Sequence, residues 1–466
     1  MVKKIILTVC LIFSCYLPLI AVKSGWELNK VLVKNDGSKP VICCNKNNVF
    51  VAYVKKVIDN SEIFFISSTN NGFTWSEEKQ ITRMPGSSED PKIVFVDNKI
   101  YIVWSDFNDG NAEIYFTYSK DKNGSEFEPP QRVTFNPSDS IQPFLSSTGF
   151  KLILFWSDDR NGDYEIFTKM YDPLVNKWEE VDTQITRFSG GSFYPYSIAV
   201  MDEIHLVWQK KDGEVWRVLY SKSGNGKVWD KPVDVSEGLE SAYDPRMVYY
   251  TDGLKVIFQA QKGTELNLYI NTYDDMSSHW LIPMAITKDI NIERDPHVIG
   301  TGNGLYAMWF DYSEGQNDIF SSFSTNEGLL WSDKANVSDT PDNSRNLDTS
   351  YDSVNDNIYT VWEEGETGGI MFTSKDKSCP TPLIISSSHS SNDWSYDKDI
   401  VFKWTIGEDI SGIKDYAYLI DDRPDTEPDL FLAEYPVDTA KFYNVKDGIW
   451  YFHLRARDNM NNTSSV

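Results

Sequence analysis

The chain has 466 residues, more than one ordinary hydrophobic core organises, so it either divides into domains or carries a repeat. Its 15 tryptophans, 25 tyrosines and 25 phenylalanines favour pleated, half-buried surfaces, and 27 glycines and 20 prolines supply many turns. A formal charge of −25 repels polyanions, which excludes nucleic-acid partners and anionic membrane surfaces.

Residues 1–24 read as a targeting segment, with Lys3 and Lys4 ahead of an apolar run from Ile5 to Val22. Cleavage after Ala21 or Ser24 fits small-residue preferences and implies export, to the medium or the cell surface. Phe13-Ser14-Cys15 also resembles a bacterial lipoprotein box, but the apolar run continuing past Cys15 argues against anchoring there. No membrane span is expected in the mature chain, which is read as a monomer. Cys10 and Cys15 fall in the leader; Cys43, Cys44 and Cys379 remain, an odd number without framework spacing, so stability does not rest on disulfides.

From residue 25 the sequence is periodic. A β-alternating segment ends near an aromatic residue at Tyr53, Trp104, Trp156, Trp208, Phe258, Trp309 and Trp362, at spacings of 50 to 53 residues. After each comes an Asp/Asn/Gly-rich turn and a second strand, such as EIYFTYS or YEIFTKM, which makes a hairpin. A third element opens at Trp75, Phe127, Trp178, Trp229, Trp280 and Trp331. A fourth follows Pro40, Pro91, Pro143, Pro195, Pro245 and Pro296, with Leu347 in the seventh place. Four short strands per unit of about 51 residues, seven times over, predict the blades of a propeller. WELNKVLV, from Trp26, matches an outer strand with no earlier strands before it, while the last repeat lacks one. Their pairing would close the seventh blade and remove an exposed edge.

The turn after the second hairpin strand carries SxDxGxxW with Asn in the Asp place: Ser68, Asn70, Gly72 and Trp75, then Ser324, Asn326, Gly328 and Trp331. Stretched copies begin at Ser119 and Ser221. This resembles the Asp-box (BNR) repeat of the sialidase-like propeller superfamily across residues 25–378. The resemblance implies a fold, with the box as a folding device: Ser and Asn bond local amides, Gly takes a positive φ and Trp covers the hairpin. Sialidases of that superfamily are generally six-bladed and carry an Arg-Ile-Pro arginine near the first blade, where this chain reads Ser38-Lys39-Pro40-Val41. Neither an arginine triad nor a Tyr nucleophile with a Glu partner is recognisable.

Residues 379–466 change character: DIVFKW, YAYLI, KFYNV and GIWYFHLRARD stand between Ser, Asp and Pro clusters. They resemble a fibronectin type III or immunoglobulin-like domain with Trp404, Tyr418 and Leu454 in its core. The expected fold class is therefore all-β: a seven-bladed propeller closed by its N-terminal outer strand, plus a small C-terminal β-sandwich.

Function is sought on the face shared by the hairpin turns and the entries to the innermost strands. Lys39, Asp90, Gln142, Tyr194, Asp244, Asp295 and Asn346 form an inferred ring around an axial mouth, beside Arg294 and Arg345. Such a ring could bind a sugar's hydroxyls or a hard cation; equally, Asp before Pro simply shapes a turn. Asp106, Asn108 and Asp109, and Asp158, Asp159, Asn161 and Asp163, with Asp311 and Glu314, offer alternating oxygens to calcium, the one cofactor considered, and also suit ordinary turns. Arg160 and Arg187 complete the arginines able to clamp a carboxylated sugar. Phe193, Tyr194 and Tyr243 are the stacking candidates. Five histidines without metal-ligand spacing, and no phosphate loop, leave other chemistries unsupported. The leading expectation is a non-catalytic recognition protein for an extracellular glycan or protein; the alternative is a divergent exo-acting glycosidase of sialidase type.

Overall fold

The computed structural model describes residues 26–465 apart from 28, 109, 150, 252, 275, 289–292, 314, 376–384, 391–394, 406–412, 432, 435–436 and 459–461. The expected leader, Cys379, Asp109 and Glu314 lie outside the described residues. Among those described, every regular element is a β-strand and none is a helix.

Seven sheets, here I to VII, share one plan of antiparallel strands paired in sequence order, four in each except III and V, where a fifth short strand also pairs with the third. Their first strands are Gly37–Asn45, Ser88–Val96, Ser140–Thr148, Ser192–Val200, Ser241–Tyr250, Glu293–Thr301 and Ser344–Asp352. In sheet VII the fourth strand is Lys30–Val33, which pairs antiparallel with Gly369–Lys375 from the other end of the repeat region. Each first strand touches the first strand of the next sheet, and that of VII touches that of I.

The cores lie between sheets. Each of seven apolar clusters joins two consecutive sheets: Phe50 and Phe65 of I meet Trp104 of II, Tyr101 and Phe116 of II meet Trp156 of III, and Val51 and Tyr53 of I meet Tyr359 and Phe372 of VII. Trp104, Trp156, Trp208, Trp309 and Trp362 have no exposed surface, so the 51-residue period is the period of this packing.

Every first strand also carries the same defect. Its register slips by one residue next to Lys39, Asp90, Gln142, Tyr194, Asp244, Asp295 and Asn346, and all seven have a left-handed φ of 47 to 55°. A non-glycine residue there costs about 1–2 kcal/mol. The next residue is proline in six of seven sheets, where the missing N–H falls beside the unpaired bulge and breaks no ladder bond.

At the other end of the sheets sit the Ser-Asn-Gly-Trp turns. Ser68 Oγ accepts from Gly72 N at 2.9 Å, Asn70 Oδ1 accepts from Thr74 N at 2.9 Å, and Trp75 Nε1 donates to Gly72 O at 3.0 Å. Ser324, Asn326, Gly328 and Trp331 repeat the pattern. The copy expected from Ser221 is built instead on Ser223, whose Oγ accepts from Gly226 N at 2.9 Å while Trp229 Nε1 donates to Gly226 O at 3.2 Å. This turn is thus one residue shorter than that at Ser68, because Gly226 follows Asn225 directly.

The C-terminal region forms two three-stranded sheets, Ile385–Ser387 with Ile400–Trp404 and Thr439–Phe442, and Ala433–Glu434 with Ile413–Asp421 and Tyr451–Asp458. Trp404, Ile413, Tyr416, Ala440, Leu454 and Ala456 are buried together, with Tyr418 packed against them.

Candidate functional site

Two sets of acids compete for a functional role, and their surroundings separate them. Asp106 ends the second strand of sheet II and Asp158 stands three residues before the end of that of sheet III, and neither is exposed. Asp106 Oδ2 accepts from Ser88 Oγ at 2.8 Å and Trp104 Nε1 at 2.9 Å, and its Oδ1 accepts from Asn108 N at 3.0 Å. Asp158 accepts likewise from Ser140 Oγ and Trp156 Nε1, and carries Arg160 in a fork of two 2.7 Å bonds. Burial alone would raise the Asp158 carboxyl; the Arg160 and Trp156 bonds outweigh it and hold it below its ordinary range. Glu364 plays the same part in sheet VII for Trp362 and Ser344. These are staples between the first two strands of a sheet.

Of the residues expected to offer oxygens to calcium, Asp106, Asp158, Asp159, Asn161 and Asp163 make side-chain hydrogen bonds within the protein, and Asn108 donates its amide to Asp106. Asp159 Oδ1 accepts from Asp139 N at 2.8 Å, and Asp163 Oδ2 from Gly190 N at 3.2 Å. Asn161 and Asp163 line a hollow of ≈ 380 Å³ with Gln184 and Arg187. Asp311 is paired with Lys334 at 2.6 Å. Among the described residues no group of three or more His, Cys, Asp or Glu side chains is placed to hold a metal ion.

The bulge residues behave differently. They sit at the hairpin-turn end of the sheets, since Ser88 faces Asp106 and Ser140 faces Asp158, whereas Val49 faces Ser68 at the opposite end. Lys39 Nζ bonds Asp90 at 2.7 Å and Glu89 at 3.0 Å. Burial would lower the Lys39 ammonium, but these two carboxylates raise it. Gln142 Oε1 accepts from the Tyr194 amide at 3.0 Å, and Gln209 Oε1 from the Asp244 amide at 3.0 Å. Arg246 bonds Asp295 at 3.0 Å. Asn346 and Arg345 both donate to Glu363, whose other role is to accept from the Lys39 amide at 3.3 Å. Arg345 and Arg160 are therefore committed to carboxylates of the protein, while Arg294 is exposed and has no ion-pair partner among the described residues.

Within this ring two carboxyls are pushed apart. Burial and then the nearby Asp295 charge raise Asp244 to about 6, against the pull of Arg246 and Arg294. Asp295 is partly buried, which would raise it, yet His297 at 3.6 Å and Arg246 hold it below its ordinary range. Tyr194 is raised, first by burial and then by the charges of Asp244 and Asp90. Near pH 6 these two bulges therefore offer a half-protonated acid beside an ionised one, a combination that can donate a hydrogen bond and accept another. The first strands of sheets IV to VII line an open cavity of ≈ 430 Å³, from Tyr196, Arg246, His297 and Asp348 to Tyr249 and Tyr351.

Next to the bulges of sheets IV and V lies a row of half-buried aromatic rings: Tyr164 is 5.2 Å from Phe193, Phe193 is 5.7 Å from Trp216, and Trp216 is 6.1 Å from Tyr243. Phe193 and Tyr243 immediately precede Tyr194 and Asp244. Tyr164 and Trp216 were not singled out by sequence, because an aromatic opening the second hairpin strand is indistinguishable there from the core aromatics Phe167 and Tyr220 further along it; their position next to the hairpin turn was the one available signal.

No protein-family model matches the chain, and no curated protein matches it. Among solved structures it resembles a polysaccharide lyase of family PL25, an ulvan lyase, determined both free and bound to -[GlcA(1-4)Rha3S]-. Each is 10% identical with a TM-score of 0.56, over 75% of this chain and 95% of that one. The phage phi92 endosialidase is 9% identical over 80% of this chain and 71% of its own, with a TM-score of 0.48. At such identities the likeness is one of all-β fold.

Proposed function

We propose that residues 25–378 form a seven-bladed propeller of the sialidase-like repeat type, closed by its N-terminal outer strand, followed over 379–466 by a fibronectin type III or immunoglobulin-like sandwich. We further propose that the protein is exported and binds a glycan at the axial mouth on the hairpin-turn face. The observation that carries this reading is the set of bulge residues, in which Asp90, Asp244, Asp295 and Tyr194, with Arg294 next to Asp295, bring donors and acceptors of different charge together. Sugar hydroxyls need such mixed partners, and a half-protonated Asp244 supplies both roles. The fold likeness to a lyase solved with a sugar bound supports a carbohydrate ligand.

Recognition without catalysis is the first reading. A second, glycan cleavage, is favoured by the unequal Asp244 and Asp295 carboxyls, one able to donate a proton and the other ionised to face developing positive charge. A glycan array probed with the full chain, followed by incubation of each bound glycan with protein from pH 4.5 to 8, tests both. Binding that Asp244→Asn and Asp295→Asn weaken at least tenfold, with no new chain ends formed, is the expected result. Cleavage that falls as pH rises through about 6 and is lost in Asp244→Asn would replace recognition by the enzyme. Absence of any glycan binding from folded protein would refute both.

A further inference from the structure

The aromatic row carries an inference that rests on the proposed glycan site and goes beyond it. We infer that the row Tyr164, Phe193, Trp216 and Tyr243 is a track for an internal stretch of a linear, uncharged polysaccharide, with one sugar unit per ring.

Geometry comes first. The centroid steps of 5.2, 5.7 and 6.1 Å are nearly uniform and match the advance of an extended polysaccharide from one sugar ring to the next. The row passes from the hairpin turn of sheet III, through the first strand and hairpin of sheet IV, to the first strand of sheet V. It skirts the mouth, whereas a site for one terminal sugar would be a single closed pocket. Each ring keeps part of its surface accessible, and an aromatic face of this kind packs against the C–H face of an equatorially linked pyranose at little cost in ordering.

Charge then selects among polysaccharides. Tyr164 is raised by burial and by the charges of Asp159, Asp139 and Asp158, and Tyr194, next to Phe193 in the chain, by burial and by Asp244 and Asp90. The row thus begins in negative potential and has a second negative point beside Phe193. Lys211, 5.7 Å from the Trp216 ring, is the cation over the row. A chain with a carboxylate or sulfate on every unit would meet repulsion at these two points, while a neutral chain would not.

The test is a length series measured by calorimetry on the full chain, with cello-, xylo- and β-1,4-manno-oligosaccharides of one to eight units as probes and β-1,4-oligomannuronates of the same lengths as the charged arm. Affinity in at least one neutral series should rise at least tenfold from dimer to tetramer and level off beyond it. Trp216→Ala should lower tetramer affinity about tenfold and leave dimer affinity within about twofold. Tyr164→Ala, at a hairpin turn, should do the same and guards against a Trp216 variant that fails to fold. Leu330→Ala, exposed at the opposite end of the sheets, should change nothing. Monomer binding as tight as tetramer binding would overturn the track while leaving the glycan-binding face in place. Tighter binding of the oligomannuronates would overturn its neutrality. If array glycans bind elsewhere on the face but neither Trp216→Ala nor Tyr164→Ala alters them, the row is not the track. Failure of every carbohydrate to bind would sink the underlying reading as well.

Discussion

Asp158 and Asp244 stand near the same end of the molecule, in neighbouring regions of similar sheets, and differ in almost every physical respect. Asp158 is fully enclosed and its oxygens are consumed by Trp156, Ser140 and Arg160. Asp244 sits on a strained bulge, raised by burial and by Asp295, with its own amide held by a glutamine of the preceding sheet. The first acid is satisfied by the fold; the second is left with unspent hydrogen-bonding capacity at an opening. Acidity in a turn-rich sequence therefore says little until the partners of each oxygen are known.

The largest effect that would break this comparison lies in the staple. Asp158→Ala should cost about 3–5 kcal/mol in urea denaturation, since Arg160, Trp156 and Ser140 would all lose an acceptor and a half-buried guanidinium would lose its main partner. A loss below about 1 kcal/mol would deny that the staple matters to stability.

Asp244→Asn should act in the opposite direction. The folded carboxyl titrates near 6, above its unfolded value, so the native state binds the extra proton between those values and loses stability as pH rises. Removing the acid should stabilise the protein at pH 7.5 by about 1–3 kcal/mol, and the gain should fade as pH drops through 6 toward 4. A pH-independent difference would place the cause outside this titration.

A smaller contrast sharpens the staple rule. In sheet VI the serine position is Glu293, whose carboxylate turns to Thr287 and the Leu268 amide, and Trp309 Nε1 has no hydrogen-bond partner among the described residues. Trp104→Phe gives up a 2.9 Å bond to Asp106, while Trp309→Phe gives up none. Thermal denaturation should find the first variant less stable than the second by about 1 kcal/mol.

The same contrast explains what sequence could convey. The recurrence of Trp104, Trp156 and Trp309 gave the strand order because each fills the same space between two sheets, so the period is imposed by packing. The recurring prolines were legible for a like reason: in six of the seven first strands a proline is tolerated at one point, and the bulge that tolerates it shows only once the strands are paired. The partners of the turn acids were not legible, because the serine that satisfies Asp158 lies 18 residues earlier and shows as a partner only when the strands are paired. Trp216 and Tyr164 escaped because residue type alone does not separate a ring facing the next sheet from one left at the surface. The Ser223 turn escaped because two serines competed for one role and only the amide geometry chooses between them.

Hydrogen exchange of the full chain with and without a saturating array-selected glycan tests the central claim most directly. Protection should appear at 192–196, 241–246 and 293–297, the bulged entries to the first strands, and not at the turns 68–75 and 324–331 at the other end of the sheets. Protection confined to those turns or to 385–465 would contradict a glycan site at the mouth.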